Sequence, residues 1–276
     1  MLVDVDAAVL ENRRLSDSYS VLALDAPQIA AIVKPGQFVM LKPSRGTDPL
    51  LRRPFSVFEV LRNAAGAPTG ISILNKRAGV GTTMLYDAEP GATIGCLGPL
   101  GRPFQPVPPP VEAWMVAGGV GLAPFATLAA ALQALGTPTT LFYGARTADE
   151  LYYVNLFEQL GVHTVLSTED GSRGRHGRVT APLADSLDAL GPDASTGVHL
   201  YTCGPTPMMR AVARLAGEHR RRCYVSLEQV MGCGLGGCYS CVVPTRTNGG
   251  APHFERSCIE GPVFDSTRIV WEALKH

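Results

Sequence analysis

Four cysteines in the last quarter of the chain have a spacing that could hold a metal centre. Cys233, Cys238 and Cys241 follow the pattern C-x4-C-x2-C, and Cys258 comes after a longer interval. This is the plant-type arrangement of ligands for a [2Fe–2S] cluster. Three glycines between the first two cysteines let the backbone approach a cluster closely and turn its N–H groups toward sulfur: Gly234, Gly236 and Gly237. The spacing therefore predicts a [2Fe–2S] cluster with these four cysteines as its ligands.

Two other uses of the cysteines compete with this interpretation. A zinc site more usually has two C-x2-C pairs, and here only Cys238 and Cys241 are so spaced. Disulfides suit a secreted protein, but the N-terminus has no basic segment and carries Asp4 and Asp6. Seven cysteines, four of them in one loop pattern, fit a reducing compartment. We expect a cytoplasmic protein.

The bulk composition excludes several functional classes. The chain of 276 residues is long enough for about two domains. Lys and Arg number 24 and Asp and Glu also number 24, so no net charge favours nucleic-acid binding. The apolar runs are far shorter than the roughly 20 residues that a membrane helix needs. We therefore expect neither a nucleic-acid partner nor a membrane span.

Residues 1–104 have the pattern of an antiparallel β-barrel. Short runs rich in Val, Ile and Phe alternate with turn clusters, which is typical of antiparallel barrels and sandwiches. The expected strands cover residues 3–10, 19–24, 37–41, 54–60 and 70–74. A proline-rich segment, 107–110, then indicates a linker.

Strands alternate with helices from residue 111 onward, which predicts a parallel, doubly wound sheet of the Rossmann-like α/β type. The expected strands are 113–117, 139–143, 163–167 and 198–202, and the expected helices are 150–160, 180–190, 207–219 and a run ending at 135. We divide the chain into residues 1–104, 105–222 and a small C-terminal segment, 223–276.

Two motifs of the N-terminal region could contact a phosphate-bearing cofactor. Arg53-Pro54-Phe55-Ser56 places a guanidinium and a hydroxyl at the start of a strand. The run 79–82, Gly-Val-Gly-Thr, precedes an apparent helix and so offers N–H groups to a diphosphate. Each motif also has a structural explanation, since arginines are mostly exposed and every helix needs an N-cap.

A glycine-rich turn follows the first strand of the α/β region. The run 118–124, Gly-Gly-Val-Gly-Leu-Ala-Pro, stands where such folds bind a dinucleotide, although it is not G-x-G-x-x-G. Cys203-Gly204-Pro205 ends a later strand and should face the same crevice. The glycines could serve the turn alone, and Cys203 could be a packed thiol or a contact to the nicotinamide.

Taken together, these motifs resemble the ferredoxin–NADP reductase superfamily and, within it, the electron-transfer subunits of class 1B dihydroorotate dehydrogenases. The similar segments occur in the order of the family: 35–41, 51–57, 98–101, 118–124, 168–174, 202–208, 225–238 and 258–264. The resemblance implies a β-barrel FAD domain, an NAD domain and a small [2Fe–2S] domain, in the division given above. It covers nearly the whole chain.

The resemblance also implies the residues that bind each cofactor. FAD would contact the barrel region at these positions: Arg53, Pro54, Phe55, Ser56, Leu74, Asn75, Lys76, Gly81 and Thr82. NAD would contact the α/β region at these positions: Gly118, Gly119, Gly121, Pro124, Cys203, Gly204 and Pro205. The chain departs from the family at Asn75-Lys76, where an aromatic residue and an arginine are usual, and in a long interval before Cys258. That interval contains a predicted hairpin turn at 247–250.

The implied activity is electron transfer. A hydride carries two electrons and the cluster accepts one, so FAD would stand between NAD and the cluster. The partner would be an FMN-containing dihydroorotate dehydrogenase catalytic subunit of pyrimidine biosynthesis, in a heterotetramer with two copies of each subunit. We expect NADH to be preferred over NADPH, with Arg146 the nearby candidate for a 2′-phosphate. The alternatives are an electron-transfer subunit of a hydrogenase, sulfur reductase or bifurcating transhydrogenase, and a zinc- or redox-sensing interaction protein.

Overall fold

The computed structural model describes residues 2–190, 197–246 and 250–274. The chain forms two compact units. The barrel unit contains Met1–Pro103, Gln229–Val242 and Arg256–Pro262, and the α/β unit contains Phe104–Glu228, Val243–Glu255 and Val263–His276. Each unit is therefore assembled from three separate stretches of the sequence.

Seven antiparallel strands form the sheet of the barrel unit. They are β1 (Val3–Ser16), β2 (Tyr19–Asp25), β3 (Phe38–Lys42), β4 (Arg53–Ser56), β5 (Glu59–Arg62), β6 (Pro68–Lys76) and β7 (Thr93–Leu100). Their order is β4-β3-β7-β1-β2-β6-β5, and every neighbouring pair is antiparallel. Two short helices, α1 (Pro27–Ala30) and α2 (Val80–Tyr86), accompany them. The antiparallel barrel-type fold predicted for this region is confirmed.

Two differences from the expected strands have local causes. The single strand expected at 54–60 is divided into β4 and β5, because Val57 and Phe58 turn into the core between them. Strand β7 was not predicted, because two glycines and a proline hide its apolar alternation. It nevertheless lies at the centre of the sheet, between β3 and β1.

The α/β unit contains the predicted parallel sheet. Its strands are β8 (Glu112–Gly118), β9 (Thr139–Ala145), β10 (His163–Thr168), β11 (Arg175–His176), β12 (Val198–Cys203) and β13 (Arg222–Ser226). Its helices are α3 (Ala123–Leu135), α4 (Val154–Gln159), α5 (Thr180–Leu190) and α6 (Thr206–Glu218). The parallel strands lie in the order β11-β10-β9-β8-β12-β13. The alternation of strands and helices along the sequence predicts such a sheet, with one face of each helix buried against the strands.

The last part of the chain contributes to both units. Strands β14 (Val242–Thr245) and β15 (His253–Arg256) pair with each other, helix α7 (Ser257–Glu260) follows, and β16 (Val263–Asp265) adds antiparallel to β13. Apolar side chains of this segment enter two different cores, so 223–276 does not form a compact unit of its own. The division into three cofactor-binding modules stays a prediction. The predicted turn at 247–250 includes 247–249, which lie outside the described residues.

None of the helices in the described ranges is both long enough and apolar enough to cross a membrane.

Candidate functional site

The four predicted cluster ligands come together in the barrel unit as two pairs. The side chains of Cys233 and Cys238 are within hydrogen-bonding reach of each other, and so are those of Cys241 and Cys258. Within the described ranges, no three His, Cys, Asp or Glu side chains meet at one point suited to a single metal ion. A [2Fe–2S] cluster is held by four cysteine thiolates, two on each iron, and the two pairs of cysteines supply them. The donor set therefore fits that cluster.

The loop that carries these cysteines packs against the antiparallel sheet. Met231, Cys241 and Cys258 share a small core with side chains of β3 and β7, namely Phe38, Met40, Leu97 and Leu100. Gly234 has a φ of +72°, and a Cβ on it would lie 2.6 Å from the Cγ of Met40. A side chain at this position would push the loop off the sheet. The glycine therefore serves a close approach as well as an unusual backbone angle.

Hydrogen bonds to cysteine sulfurs favour the thiolate form in this loop. The N–H of Leu235 donates to the Sγ of Cys233 at 3.3 Å, and the Oγ of Ser240 lies 3.2 Å from the Sγ of Cys238. The hydroxyl and N–H of Ser240 lower the pKa of the Cys238 thiol to about 6. Such donors commonly tune metal-bound sulfur. Sequence analysis missed Ser240, although its position between two predicted ligands was a usable signal.

Arg256 is a second residue that the sequence did not reveal. Its Nη1 donates to the carbonyl oxygen of Gly236 at 2.9 Å, and its guanidinium lies 5.1 Å from the ring centre of Tyr239. Tyr239 is 63% exposed, and Leu235 and Ile259 are 51% and 37% exposed. We call these three side chains the apolar rim. They lie on the cysteine loop or directly after Cys258, beside the predicted ligands.

The FAD motif at Arg53 and the glycine turn at α2 lie together in the structure. A Cβ on Gly81 would lie 3.2 Å from the Nε of Arg53. The Nη1 of Arg53 donates to the carbonyl oxygens of Leu51 and Arg52, and no carboxylate of the described residues pairs with this guanidinium. A cation without a carboxylate partner beside a glycine turn fits an anionic group such as the FAD diphosphate. The other predicted members of this motif, Pro54, Phe55 and Ser56, are half-buried on β4.

Thr82 and Asn75 shape this turn from within. The Oγ1 of Thr82 accepts hydrogen bonds from the N–H groups of Ala78 and Gly79, both at 2.9 Å. Asn75 is buried and its Nδ2 donates to the carbonyl oxygen of Thr82 at 3.0 Å, while its Oδ1 has no hydrogen-bond partner. Both side chains are thus committed to the backbone at the start of α2.

The neighbouring positions behave differently. Leu74 is buried, whereas Lys76 is exposed and its Nζ lies 5.6 Å from the ring centre of Tyr19. A groove of about 660 Å³ opens beside the turn. It is lined by Asp17, Ser18, Arg77, Ala78, Gly79, Val80, Thr83 and Met84. No motif indicated Asp17 and Ser18, which precede β2 and are brought to this groove by the fold.

The glycine-rich turn of the α/β unit contacts the Cys203 loop. A Cβ on Gly121 would lie 2.2 Å from the carbonyl oxygen of Cys203, and one on Gly204 would lie 3.0 Å from the backbone nitrogen of Gly118. Strands β8 and β12 are parallel neighbours, so the two loops leave the same edge of the sheet. This edge is where open α/β sheets bind nucleotides. Gly119 has a φ of +55°, and Pro124 is buried at the start of α3.

Cys203 carries a neutral thiol at this edge. Burial raises its pKa to about 12, and the nearby carboxylate of Glu228 adds to the effect. Pro205, by contrast, is exposed and precedes α6. The thiol can therefore pack against a ligand, but it does not supply a negative charge there at neutral pH.

Comparison with known proteins decides the family. Residues 115–214 match the model of the oxidoreductase NAD-binding domain, and residues 228–270 match that of the iron–sulfur cluster binding domain of dihydroorotate dehydrogenase B. The electron transfer subunit of dihydroorotate dehydrogenase B (NAD(+)) from Desulforamulus reducens is 36% identical over 268 residues, which cover 97% of this chain and 98% of that protein. The subunit from Bacillus caldolyticus is 34% identical, with 95% and 96% covered. This chain belongs to that family of electron transfer subunits.

Solved structures agree with this family assignment. The structure of an NADH-dependent reduced ferredoxin–NADP oxidoreductase, described in connection with flavin-based electron bifurcation, has a TM-score of 0.82 and 26% identity. It covers 98% of this chain, and this chain covers 91% of it. A ferredoxin–NADP+ reductase from Neisseria gonorrhoeae has a TM-score of 0.65 at 18% identity, over 78% and 91% of the two chains, and so shares the fold. This chain is thus an oxidoreductase of ferredoxin reductase type, with an NAD-binding domain and an iron–sulfur cluster binding domain.

Proposed function

We propose that this electron transfer subunit carries electrons between NAD and a dihydroorotate dehydrogenase subunit, within pyrimidine biosynthesis. The observation that carries the proposal is likeness over almost the full length to electron transfer subunits of dihydroorotate dehydrogenase B. The paired cysteines add support, because they supply the ligands that such a route needs. FAD supplies the conversion between hydride transfer and single-electron transfer.

Each cofactor has a proposed set of binding residues. The turn at Gly118, Gly119 and Gly121, with Pro124, would receive the NAD diphosphate, while Cys203, Gly204 and Pro205 would border the nicotinamide. Arg53 would pair with the FAD diphosphate beside Gly81. The remaining proposed FAD contacts would come from the backbone or the side chains of these residues: Pro54, Phe55, Ser56, Leu74, Asn75, Lys76 and Thr82. Cys233, Cys238, Cys241 and Cys258 would hold the cluster.

The proposed partner is an FMN-containing dihydroorotate dehydrogenase catalytic subunit, in a heterotetramer with two copies of each chain. The apolar rim supports docking near the cysteines, because exposed apolar and aromatic side chains are enriched at the cores of protein interfaces. An electron also needs a short exit path, and Cys238 is exposed. The complex would work in the cytoplasm, where free thiols persist.

Reconstitution with the catalytic subunit tests the proposal. The chain with FAD and cluster is mixed with an FMN-containing dihydroorotate dehydrogenase subunit without oxygen, and NAD+ reduction is followed at 340 nm. Dihydroorotate-dependent formation of NADH that requires both chains is the expected result. Rapid NADH oxidation with an artificial acceptor, together with no coupling to dihydroorotate and no complex on gel filtration, would contradict the proposed partner.

A second function is favoured by one observation. The likeness to the NADH-dependent reduced ferredoxin–NADP oxidoreductase also extends over almost the full chain. A role in a bifurcating transhydrogenase, hydrogenase or sulfur reductase would therefore place the same cofactors beside another partner. Purification from the native host separates the two functions, because the chain that co-purifies carries FMN only in the first case.

A further inference from the structure

The second strand of the parallel sheet brings an arginine to the nucleotide-binding edge. In the β8–β9 pair, Gly118 lies opposite Gly144. Arg146 therefore follows β9 two residues beyond the level of the glycine-rich turn. In folds of this type, the end of the second strand faces the adenosine ribose, and an arginine nearby accommodates the 2′-phosphate of NADP. Position alone would make Arg146 a residue that favours NADP.

Glu150 forms an ion pair with the guanidinium of Arg146. Its Oε2 accepts from the Nε of Arg146 at 3.1 Å, its Oε1 accepts from Nη2, and Oε2 also lies 3.3 Å from the backbone nitrogen of Arg146. Two parallel hydrogen bonds of this kind use the edge of the guanidinium that a phosphate would otherwise bind. The Arg146 side chain is 72% exposed and that of Glu150 is 20% exposed.

The carboxylate is held in place by its surroundings. Glu150 ends a 3-10 turn, Ala148–Glu150, directly after β9. The hydroxyl of Tyr143, a buried residue, donates to the carbonyl oxygen of Glu150 at 3.1 Å. The N–H of Ala148 donates to the Oγ of Ser172 at 2.8 Å, which ties this turn to the loop after β10. The pair therefore joins an exposed arginine to a more buried acid whose turn is held by hydrogen bonds.

We propose that Glu150 is a specificity-determining residue that selects NAD(H) over NADP(H) by binding Arg146 and by placing a negative charge where a 2′-phosphate would lie. This inference rests on the proposed function, since it concerns the dinucleotide that the α/β unit binds. A phosphate carries a charge of about −1.5 to −2 at pH 7, so a nearby carboxylate repels it and removes its arginine partner. The 2′-hydroxyl of NAD meets no such penalty.

Binding of two small nucleotides isolates this effect. Adenosine 2′,5′-bisphosphate and 5′-AMP differ by the 2′-phosphate, and their Kd values on the holoprotein are measured by calorimetry. The test variant is Glu150→Gln, which keeps an acceptor oxygen and loses the charge. The matched control is Asp149→Asn, which removes the same charge from the neighbouring exposed residue without touching Arg146. A double variant, Glu150→Gln with Arg146→Ala, tests whether the arginine is required.

We expect Glu150→Gln to shift the ratio of the two Kd values toward the bisphosphate by about two- to fivefold, the range for a charge at a solvated surface. Asp149→Asn should shift it by less than about twofold, and the double variant should lose the gain. The shift should shrink in 0.5 M salt, which screens exposed charges. The ratio of kcat/KM for NADPH to that for NADH should move in the same direction.

Three results would overturn the inference. They are an unchanged ratio in Glu150→Gln, an equal shift in Asp149→Asn, and a gain that survives in the double variant. In each variant, the Kd of 5′-AMP reports whether the nucleotide edge is intact. Failure of the proposed function is distinguishable, because it would be seen in the wild-type chain as missing dihydroorotate-dependent NADH formation, whereas failure of this inference is seen only in the ratio of the two Kd values among the variants.

Discussion

The guanidinium of Arg256 hydrogen-bonds to the carbonyl oxygen of Gly236, twenty residues earlier in the chain. This bond closes the cysteine loop against the segment that carries Cys258. Gly236 has a φ of +79°, and a Cβ on it would lie 2.8 Å from Ile259. The loop between Cys233 and Cys238 is thus fixed from the side of the fourth ligand.

We predict that Arg256→Ala makes the cluster labile. A hydrogen bond to a charged group contributes about 1.5–3 kcal/mol, so its loss should let the loop open more often. The rate at which a chelator bleaches the cluster absorbance should rise about tenfold or more. Arg45→Ala is the control, because Arg45 forms an exposed ion pair with Asp6. Equal rates of bleaching in the two variants would contradict the role of Arg256 in positioning the loop.

Serine substitutions at Cys238 and Cys258 should differ in their effect on stability. Both should abolish the cluster signal, because each removes a ligand. Cys238 is exposed, whereas Cys258 is 1% exposed in the core beneath the loop, where burial also raises its pKa to about 12. A buried hydroxyl without a partner costs about 1–3 kcal/mol.

Thermal unfolding of the two cluster-free variants measures this difference. Cys258→Ser should have the lower Tm, by several degrees, and Cys238→Ser should keep FAD bound. Loss of FAD from Cys238→Ser would mean that the loop supports the flavin site, a dependence that their shared compact unit makes possible.

Features that depend on residues close together in the sequence could be predicted, whereas features that depend on tertiary contacts could not. The cysteine set could be proposed from its spacing, and the structure brings the four side chains together as two pairs. The parallel sheet could be predicted because strands and helices alternate over more than 100 residues. Arg256 and Glu150 could not be assigned roles, because their partners are set by loop conformations that periodicity does not encode. The split of 223–276 between two cores likewise depends on tertiary packing, since Val243 and Phe264 enter one core and Met231 enters the other.

Cys96 should make the barrel unit less stable at alkaline pH. It is fully buried, and burial raises its pKa to about 12. The unfolded chain loses this proton near pH 9 while the folded chain keeps it, so stability falls as pH rises from about 9 toward 12. At pH 10, one unit above the pKa of this thiol in the unfolded chain, the loss of stability is about 1.4 kcal/mol.

Comparison with Cys96→Ala isolates this contribution. The difference in the free energy of unfolding between wild type and variant should shrink by about 1–2 kcal/mol from pH 8 to pH 10, measured in reductant. A difference that is constant over this range would mean that the thiol does not ionise on unfolding.

Asn75 should influence FAD binding through α2. Its amide holds the carbonyl oxygen of Thr82, and a partly open helix start would displace Gly81 from Arg53. We expect Asn75→Ala to weaken FAD binding about fivefold to twelvefold, since a buried hydrogen bond contributes about 1–1.5 kcal/mol. Lys76→Ala should change the Kd by less than about twofold, because Lys76 is exposed. Quenching of flavin fluorescence during titration gives both values. The reverse order would mean that Lys76 contacts FAD through its side chain rather than through its backbone.

Tyr239 tests whether the apolar rim is the docking face. Tyr239→Glu places a charge where an interface core would exclude one, so we expect electron transfer to the catalytic subunit to fall about tenfold or more. NADH oxidation with an acceptor that draws electrons from FAD should stay nearly constant. The matched control is Leu10→Glu, at a side chain that is 49% exposed on β1.

Tyr239 has a φ of +56° and lies under Arg256, so the variant could instead disturb the cluster. The cluster absorbance and its rate of bleaching distinguish the two effects. Docking is supported only if both are normal while transfer to the partner is lost, and it is contradicted if dihydroorotate-dependent transfer matches that of Leu10→Glu.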